Sequence, residues 1–94
     1  MSDESVKCLK LEMSEINPEA LFADGLDDAI VGYAHRCGTQ ALVVYDYNRC
    51  VDVLMRDNGM SGSEAEEWMG FNVVGAYLGP NTPLFFTSIE DIEG

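Results

Sequence analysis

The sequence predicts a small α+β domain, in which a sheet made of a hairpin plus N- and C-terminal strands is covered on one face by two longer helices. Two observations predict this class: apolar residues alternate in some segments and follow a helical period in others, and turn signals separate these segments. The 94 residues suffice for one domain, and 47% hydrophobic residues suffice for a core. The predicted order is β-α-β-β-α-α-β, with frayed ends at 1–5 and 90–94.

The N-terminal segment predicts a strand followed by a short helix. In residues 6–13, VKCLKLEM, apolar and charged side chains alternate from Leu9 onward, which is typical of a half-buried strand. Asn17 can cap a helix and Pro18 suits a first helical position, so a short helix is expected over 18–23.

Residues 27–37 leave two alternatives open. Their apolar residues fit one side of a helix, but Gly32 would then lie in mid-helix at a cost of about 1 kcal/mol. Two adjacent β-branched residues favour extended backbone instead. The segment CGTQ offers a turn before the clear strand ALVVY, and we therefore predict a hairpin that pairs 28–36 with 41–45.

After Tyr45 the apolar pattern changes from a strand period to a helix period. Asp46 stands at the N-cap position of this helix, where a carboxylate accepts hydrogen bonds from backbone N–H groups. Asn58 and Gly59 predict its end, because glycine readily adopts the left-handed conformation that follows helix C-termini.

A second helix is predicted directly after the first. Two overlapping S-x-x-E capping boxes mark its start, Ser61 with Glu64 and Ser63 with Glu66. An apolar stripe carries the helix to about residue 77. The turn cluster LGPNTP then precedes LFFTSI, which predicts a final strand over 84–89.

Charge is the strongest global feature of the chain. Seventeen Asp and Glu residues face five Lys and Arg residues, for a net charge of −12. Such a surface repels nucleic acid and anionic membranes, whose recognition requires clustered basic residues. It attracts a protein partner with a basic surface and accelerates the encounter. The simpler alternative is that the charge only keeps the protein dissolved.

Three features predict a soluble protein of the cytoplasm. No apolar run approaches the roughly 20 residues of a membrane span. The N-terminus, MSDESVKCLK, lacks the layout of a secretory signal. Cys8, Cys37 and Cys50 are odd in number and widely spaced, which suits a reducing compartment and packing as small hydrophobic residues.

Asp46 is the first candidate for chemistry, since it lies between two tyrosines. It could act as a base or a ligand beside Tyr45, but helix capping explains its position as well. Asp24, Asp27 and Asp28, in the segment ADGLDD, could contribute three carboxylate ligands to a magnesium or calcium ion. Their spacing does not match a calcium-binding loop, and a turn with solvated carboxylates is the simpler interpretation, so no metal ligand is assigned.

Asn72 falls on the apolar stripe of the last helix. A buried amide needs hydrogen-bond partners or costs about 1 to 3 kcal/mol. Asn72 is therefore expected either to bond a loop carbonyl or to form the polar floor of a pocket. Together with Asp27, Asp28, Tyr45 and Asp46 it makes the candidate polar pocket of a small enzyme or ligand-binding protein.

Motifs of well-known enzyme classes are missing from the sequence. It holds no phosphate-binding loop, no dinucleotide-binding glycine pattern, no serine-hydrolase elbow and no zinc-protease pair. Its single histidine, His35, has no neighbouring nucleophile in sequence, and a surface position is the simpler interpretation. We therefore assign no catalytic residue and no cofactor, and an enzyme is the less favoured alternative.

Four segments stand out in order: LFADGLDDAIVGYAHRCG, VVYDYNRCVDVLM, DNGMSGSEAEEW and FNVVGAYLGPNTPLF. Together they cover about residues 20 to 86 and resemble a family of small acidic proteins associated with bacteriophage genomes. The chain departs from the family pattern at Asn58, where an aspartate is expected, and both residues suit a helix end. The resemblance implies no activity, but it implies a viral accessory protein that acts in a bacterial cytoplasm.

Small size, high charge and missing motifs favour a protein that binds and inhibits or redirects a host factor with a basic surface. One form is mimicry of nucleic acid, as in some anti-CRISPR proteins, where carboxylates occupy a groove meant for phosphates. This hypothesis predicts carboxylates gathered on one acidic face, made of Asp52, Asp57, Glu64, Glu66 and Glu67. A third hypothesis is self-association through an exposed strand edge at 84–89.

Overall fold

A computed structural model describes residues 3–23, 25–35, 40–74 and 79–90. Across these ranges the helices are α1 (Asp3–Ile16), α2 (Tyr47–Asn58) and α3 (Gly62–Met69), and the strands are β1 (Ile30–Ala34), β2 (Leu42–Asp46) and β3 (Leu84–Phe86). A 3-10 turn (Asp27–Ala29) precedes β1, and a π-helical turn (Gly70–Val74) follows α3. The predicted α+β class is confirmed, and the order hairpin, helix, helix, strand matches.

The sheet has β2 at its centre. β1 pairs with β2 in antiparallel fashion, with Ala34 opposite Leu42, and β3 pairs with β2 in parallel, with Leu84 opposite Val44. A bulge at the start of β1 contains Gly32, whose φ of 155° is rarely open to other residues. The sheet is therefore mixed, and both β1 and β3 are edge strands.

The core lies between one face of this sheet and the helices. Val43 and Tyr45 of β2 are fully buried, whereas Leu42 and Val44 are half-buried on the opposite face. The buried core residues contributed by the three helices are Val6, Leu9, Met13, Cys50, Val51, Val53, Leu54, Ala65 and Met69. The predicted packing of the two later helices on one face is confirmed, and buried residues of α1 belong to the same core.

The N-terminal segment is a helix, and the strand predicted over 6–13 is wrong. Val6, Leu9 and Met13 are buried at helical spacing, whereas Leu11 is 71% exposed. The apolar residues alternate there by chance, because a segment this short can fit both a strand period and a helix period. Lysine, leucine, glutamate and methionine are all strong helix formers, so the composition favours a helix as well.

The short helix predicted over 18–23 is also absent: these residues are not helical in the structure. Asn17 and Pro18 follow the end of α1 instead of starting a new helix. Proline has no N–H to donate and cannot continue a helix, so the same dipeptide that suits a start can also mark a stop. The Ala20 N–H donates to the Asn17 carbonyl oxygen at 3.0 Å and closes a turn.

The predicted hairpin is confirmed, so the ambiguous segment 27–37 contains a strand. Most of the turn predicted after it falls on 36–39, outside the described residues.

The two termini were expected to fray. α1 begins at Asp3, inside the N-terminal segment 1–5 of this prediction. Most of the C-terminal segment that was expected to fray, 91–94, also lies outside the described residues.

Three of the four ends of α2 and α3 lie at their predicted capping residues. Asp46 is the N-cap of α2, and Gly59, with φ of 65°, is its left-handed C-cap. Of the two overlapping capping boxes, the one formed by Ser61 and Glu64 starts α3. The fourth end differs: α3 ends at Met69, earlier than predicted, and continues into the π-helical turn.

Two elements are shorter than the sequence predicts. The last helix was expected to reach residue 77, but the regular α-helix stops earlier, and residues 75–78 lie outside the described part of the chain. β3 covers 84–86 of the strand predicted over 84–89.

Candidate functional site

Asp46, the first candidate for chemistry, is held by the backbone. Its Oδ1 accepts hydrogen bonds from the N–H groups of Asn48 at 3.0 Å and Arg49 at 3.4 Å. Its Oδ2 lies 3.9 Å from Nε of Arg49. The capping prediction is confirmed, and the carboxylate satisfies donors that would otherwise be unpaired at the start of α2.

Tyr45 is fully buried beside Asp46 in sequence but on the core face of the sheet. Its ring stacks on Phe85 of the neighbouring strand, with ring centroids 5.2 Å apart. Its hydroxyl accepts a hydrogen bond from the Ala23 N–H at 2.7 Å. Tyr45 therefore fastens the loop that follows α1 to the sheet.

Asp27 and Asp28 each pair with a basic residue of a different helix. Lys10 Nζ lies 2.8 Å from Asp27 Oδ2, and Arg56 Nη2 lies 2.7 Å from Asp28 Oδ2. The two ion pairs link the 3-10 turn to α1 and to α2. In the part of the chain that the structure describes, which leaves out Asp24, no group of three or more metal-type side chains could hold an ion.

Asn72 is exposed, and the prediction that it is a buried amide is wrong. Its Nδ2 donates to the Trp68 carbonyl oxygen at 3.1 Å. The prediction assumed an unbroken α-helix, but the π-helical turn begins at Gly70. Because a π-helical turn holds more residues than an α-helical one, the residues after Gly70 no longer follow the earlier apolar stripe.

The chain does contain a buried amide, and it is Asn17, which is 2% exposed. Its Nδ2 donates to the Ala41 carbonyl oxygen and to Asn81 Oδ1, both at 2.9 Å. Its Oδ1 accepts from the Glu19 N–H at 3.2 Å. We call these four residues the Asn17 cluster. It joins the end of α1, the start of β2 and the turn before β3.

Sequence reasoning took Asn17 for a helix cap and missed this role. The available signal is weak: an asparagine directly follows the apolar stripe of α1, which ends at the half-buried Ile16. Its two distant partners, Ala41 and Asn81, leave no local pattern in the sequence.

The residues of the predicted polar pocket therefore have separate structural partners. Asp27 and Asp28 form ion pairs, Asp46 caps a helix, Tyr45 is buried in the core, and Asn72 bonds its own helix. None of the five lines the open depression along α1 or the open depression on α3. A polar pocket that joins them stays a prediction.

The cysteines and the histidine do not form a reactive pair among the described residues. Cys50 is fully buried, and its burial, followed by the charge of Asp46, raises the pKa of its thiol to about 12. Such a thiol stays protonated at neutral pH and is a poor nucleophile. Cys8 is exposed, so its expected packing in the core is wrong, whereas Cys37 lies outside the described residues. His35 is exposed, as predicted.

The acids of the predicted acidic face are all exposed on α2 and α3. Asp57 accepts a hydrogen bond from Arg56 Nε at 2.7 Å, which lowers the pKa of Asp57. Among the described residues, Asp52, Glu66 and Glu67 have no ion pair or side-chain hydrogen bond. These three carboxylates have no partner in the described chain, and the gathering of all five acids on one face stays a prediction.

An open depression of about 320 Å³ lies on α3, and we call it the Trp68 depression. It is lined by Met60, Glu64, Glu67, Trp68 and Phe71. Phe71 is 79% exposed, whereas Trp68 is half-buried and packs against the core. Sequence reasoning missed this site because it assigned Trp68 to the core stripe. The signal was partial: Glu64, Glu67 and Trp68 have the spacing of one helix side, but Met60 precedes α3 and Phe71 lies in the π-helical turn.

A second, wider depression of about 530 Å³ runs along α1. It is lined by Glu4, Ser5, Cys8, Leu9 and Glu12. It resembles the Trp68 depression in carrying two glutamates, but it has no aromatic side chain.

β3 is a sheet edge, as the self-association hypothesis requires. Its Leu84 and Phe86 are 45% and 40% exposed, on the face of the sheet away from the core. Pairing of this edge with a second copy of the chain stays a prediction.

No family model, no curated protein and no solved structure matches the chain. The resemblance to phage-associated proteins therefore stays a prediction from four sequence segments. In the ranges that the structure covers, no helix combines the length and the apolar character needed to cross a bilayer.

Proposed function

We propose that this protein acts by binding a partner protein with a basic surface, and that the acidic face on α2 and α3 makes the contact. The observation that supports this most directly is the state of Asp52, Glu66 and Glu67, which are exposed and have no partner among the described residues. Unpaired carboxylates on two packed helices create a negative potential that attracts and orients a basic protein.

The placement of the basic residues supports the proposal. Lys10, Arg49 and Arg56 all lie within 4.0 Å of carboxylates, chiefly around the 3-10 turn and the start of α2. α3, by contrast, carries three glutamates and no basic residue. The surplus of negative charge therefore reaches the surface most fully on α3, where it lies beside the half-buried Trp68 and the exposed Phe71.

The resemblance to phage-associated proteins supplies a context for such a partner. A viral accessory protein in a bacterial cytoplasm would bind a host factor and inhibit or redirect it. A host factor that handles nucleic acid has a basic groove, and carboxylates on a rigid helical pair can occupy that groove in place of phosphates. An inhibitor of the anti-CRISPR kind is one form of this proposal.

Affinity capture from a bacterial lysate, with the tagged chain and two charge variants, tests the proposal. The first variant neutralises the acidic face: Asp52→Asn, Asp57→Asn, Glu64→Gln, Glu66→Gln and Glu67→Gln. We expect it to lose the basic protein that the unmodified chain captures. We also expect capture by the unmodified chain to fall between low salt and about 0.5 M salt, because exposed charge pairs are screened.

The control variant changes the same number of charges on other exposed surfaces. It carries Glu4→Gln, Glu12→Gln, Glu15→Gln, Glu19→Gln and Glu90→Gln, all at exposed positions. It should retain the partner. Equal capture by both variants, or loss in both, would contradict a role for the acidic face.

A further inference from the structure

The Trp68 depression combines aromatic walls with carboxylates on one side of α3. Trp68 packs against the core, which holds its indole ring in place, whereas Phe71 offers most of its ring to solvent. Exposed aromatic rings that cluster in one place are characteristic of sites that another molecule covers. Glu64 and Glu67 add negative charge to the same depression.

We infer that the Trp68 depression binds an arginine side chain of the partner protein, with its guanidinium stacked on Trp68 and paired with Glu64 and Glu67. This inference rests on the proposed function and names the group that α3 recognises. A guanidinium is planar, stacks on aromatic faces and donates to carboxylates through several N–H groups. Lysine can also contact a ring and a carboxylate, but only the planar guanidinium stacks on a ring while it donates to two carboxylates in its own plane.

The carboxylate of Glu64 is already held in one position by the capping box. Its Oε1 accepts from the Ser61 N–H at 3.1 Å, and the Glu64 N–H donates to Ser61 Oγ at 3.2 Å. These bonds lower the pKa of Glu64, so that it stays ionised. A side chain that is fixed before binding loses little freedom when the ligand arrives. Glu67, which has no partner among the described residues, supplies the second charge.

Among the described residues, the same chemistry occurs at Lys10. The Lys10 ammonium lies 5.4 Å from the centroid of the Phe22 ring and 2.8 Å from Asp27 Oδ2. An aromatic ring and a carboxylate thus hold a cation there. The Trp68 depression has a larger aromatic surface and more carboxylates, but its lining contains no basic residue.

The π-helical turn supports the shape of the depression. It follows α3 directly and carries Phe71, the most exposed large hydrophobic residue described. The Trp68 carbonyl oxygen accepts from Asn72 Nδ2 at 3.1 Å, which secures the backbone where the regular helix ends. Turns of this kind cost stability relative to a regular helix and occur often at functional sites.

The depression along α1 is the natural comparison within the chain. It has two glutamates, Glu4 and Glu12, but no aromatic ring. Carboxylates alone hold an exposed cation weakly, because water and salt compete. We therefore assign arginine binding to the Trp68 depression and not to the one along α1.

Fluorescence gives a direct test, because Trp68 is the only tryptophan in the chain. The probes are three blocked tripeptides, Gly-X-Gly, in which X is arginine, lysine or citrulline. We expect saturable quenching of Trp68 by the arginine peptide, with a Kd on the order of 1 mM. The lysine peptide should bind several times more weakly, and the neutral citrulline peptide should not bind. Chemical shifts of the Trp68 indole N–H provide a second readout.

Two matched variants separate this inference from the proposed function. Glu67→Gln removes a charge inside the depression, and Glu66→Gln removes the same charge from the neighbouring residue, which does not line it. Glu67→Gln should weaken binding of the arginine peptide by about fivefold, whereas Glu66→Gln should change it less than twofold. Both Glu66 and Glu67 belong to the acidic face, so the variant used in the capture experiment neutralises both of them.

The inference is overturned if the arginine peptide changes neither the fluorescence nor the indole shift. It is also overturned if lysine or citrulline peptides bind as tightly as arginine, or if Glu66→Gln and Glu67→Gln weaken binding equally. If any of these results is found while capture still depends on the acidic face, the inference fails and the proposed function stands. If capture is independent of that face as well, both fail.

Discussion

The polar side chains of the Asn17 cluster and those of the Trp68 depression have opposite surroundings in one small fold. In the Asn17 cluster, both amide N–H groups and the amide oxygen of Asn17 have partners inside the chain, and Asn17 itself is 2% exposed. In the Trp68 depression, Glu67 and the ring of Phe71 face solvent. The difference separates residues that hold the fold together from residues that are open to another molecule, and stability measurements can test it.

The largest expected effect is at Asn17. Asn17→Ala should lower the free energy of unfolding by about 3 kcal/mol, because it leaves buried donors and acceptors without partners. Asn72→Ala is the matched control, since Asn72 is exposed, and it should cost less than about 0.5 kcal/mol. Urea denaturation measures both values. Equal losses would show that the distinction between the two regions is wrong.

If Asn17→Ala does not fold, Asn81→Ala keeps the question open to measurement. It removes one partner of Asn17 and preserves the bond to the Ala41 carbonyl oxygen. We expect a loss of about 1 kcal/mol.

The next effect is at the Tyr45 hydroxyl. Tyr45→Phe keeps the ring stacked on Phe85 but removes the acceptor for the Ala23 N–H. The free energy of unfolding should fall by about 1 to 1.5 kcal/mol. Tyr47→Phe removes a hydroxyl from a half-buried ring and should have almost no effect in the same thermal or urea unfolding experiment. A larger loss in the control would contradict the assigned role of Tyr45.

A smaller effect is expected at the N-cap of α2. Asp46→Ala should cost about 1 kcal/mol, and Asp46→Asn only a few tenths, because asparagine also accepts from the backbone N–H groups. Asp52→Ala, on the exposed side of the same helix, should stay within about 0.5 kcal/mol of the unmodified chain. Thermal unfolding followed by circular dichroism distinguishes these variants. Losses that do not follow this order would argue against a capping role.

The smallest effect depends on pH and belongs to Glu64. Its hydrogen bonds with Ser61 lower its pKa from the ordinary value of 4.5, so the folded chain favours the ionised form. The resulting stabilisation is present above that value and is lost as pH falls through the lower pKa of the folded state. The difference in unfolding free energy between the unmodified chain and Glu64→Gln should therefore shrink between about pH 6 and about pH 3. Glu66→Gln, whose side chain has no partner among the described residues, should show a smaller change over this range.

Local signals in the sequence predicted the elements whose limits are set by neighbours in the chain. α2 lies between Asp46 and Gly59, both of which act within one helical turn, and the hairpin was predicted from turn-forming residue types between two β-rich segments of the sequence. α1 shows where such reasoning ends. Leu9 and Met13 fit a strand and a helix equally well, and only the longer stripe from Val6 to Ile16 decides for the helix.

The candidate site was predicted only in part, for physical reasons. The exposure of the glutamates on α3 follows from composition, but the phase of Phe71 depends on a π-helical turn that no short pattern encodes. The burial of Asn17 depends on Ala41 and Asn81, which lie 24 and 64 residues away along the chain. Such contacts exist only once the chain has folded, so they cannot be deduced from the spacing of neighbouring residues.

The parallel pairing of β3 with β2 has a consequence for how the chain is made. Val44 cannot meet Leu84 until α2, α3 and the turn before β3 have all left the ribosome. Local pairs such as the hairpin form quickly, whereas contacts between distant segments come late because a long loop must close first. During synthesis one edge of β2 therefore remains unpaired, and a nascent chain aggregates most readily through such an edge.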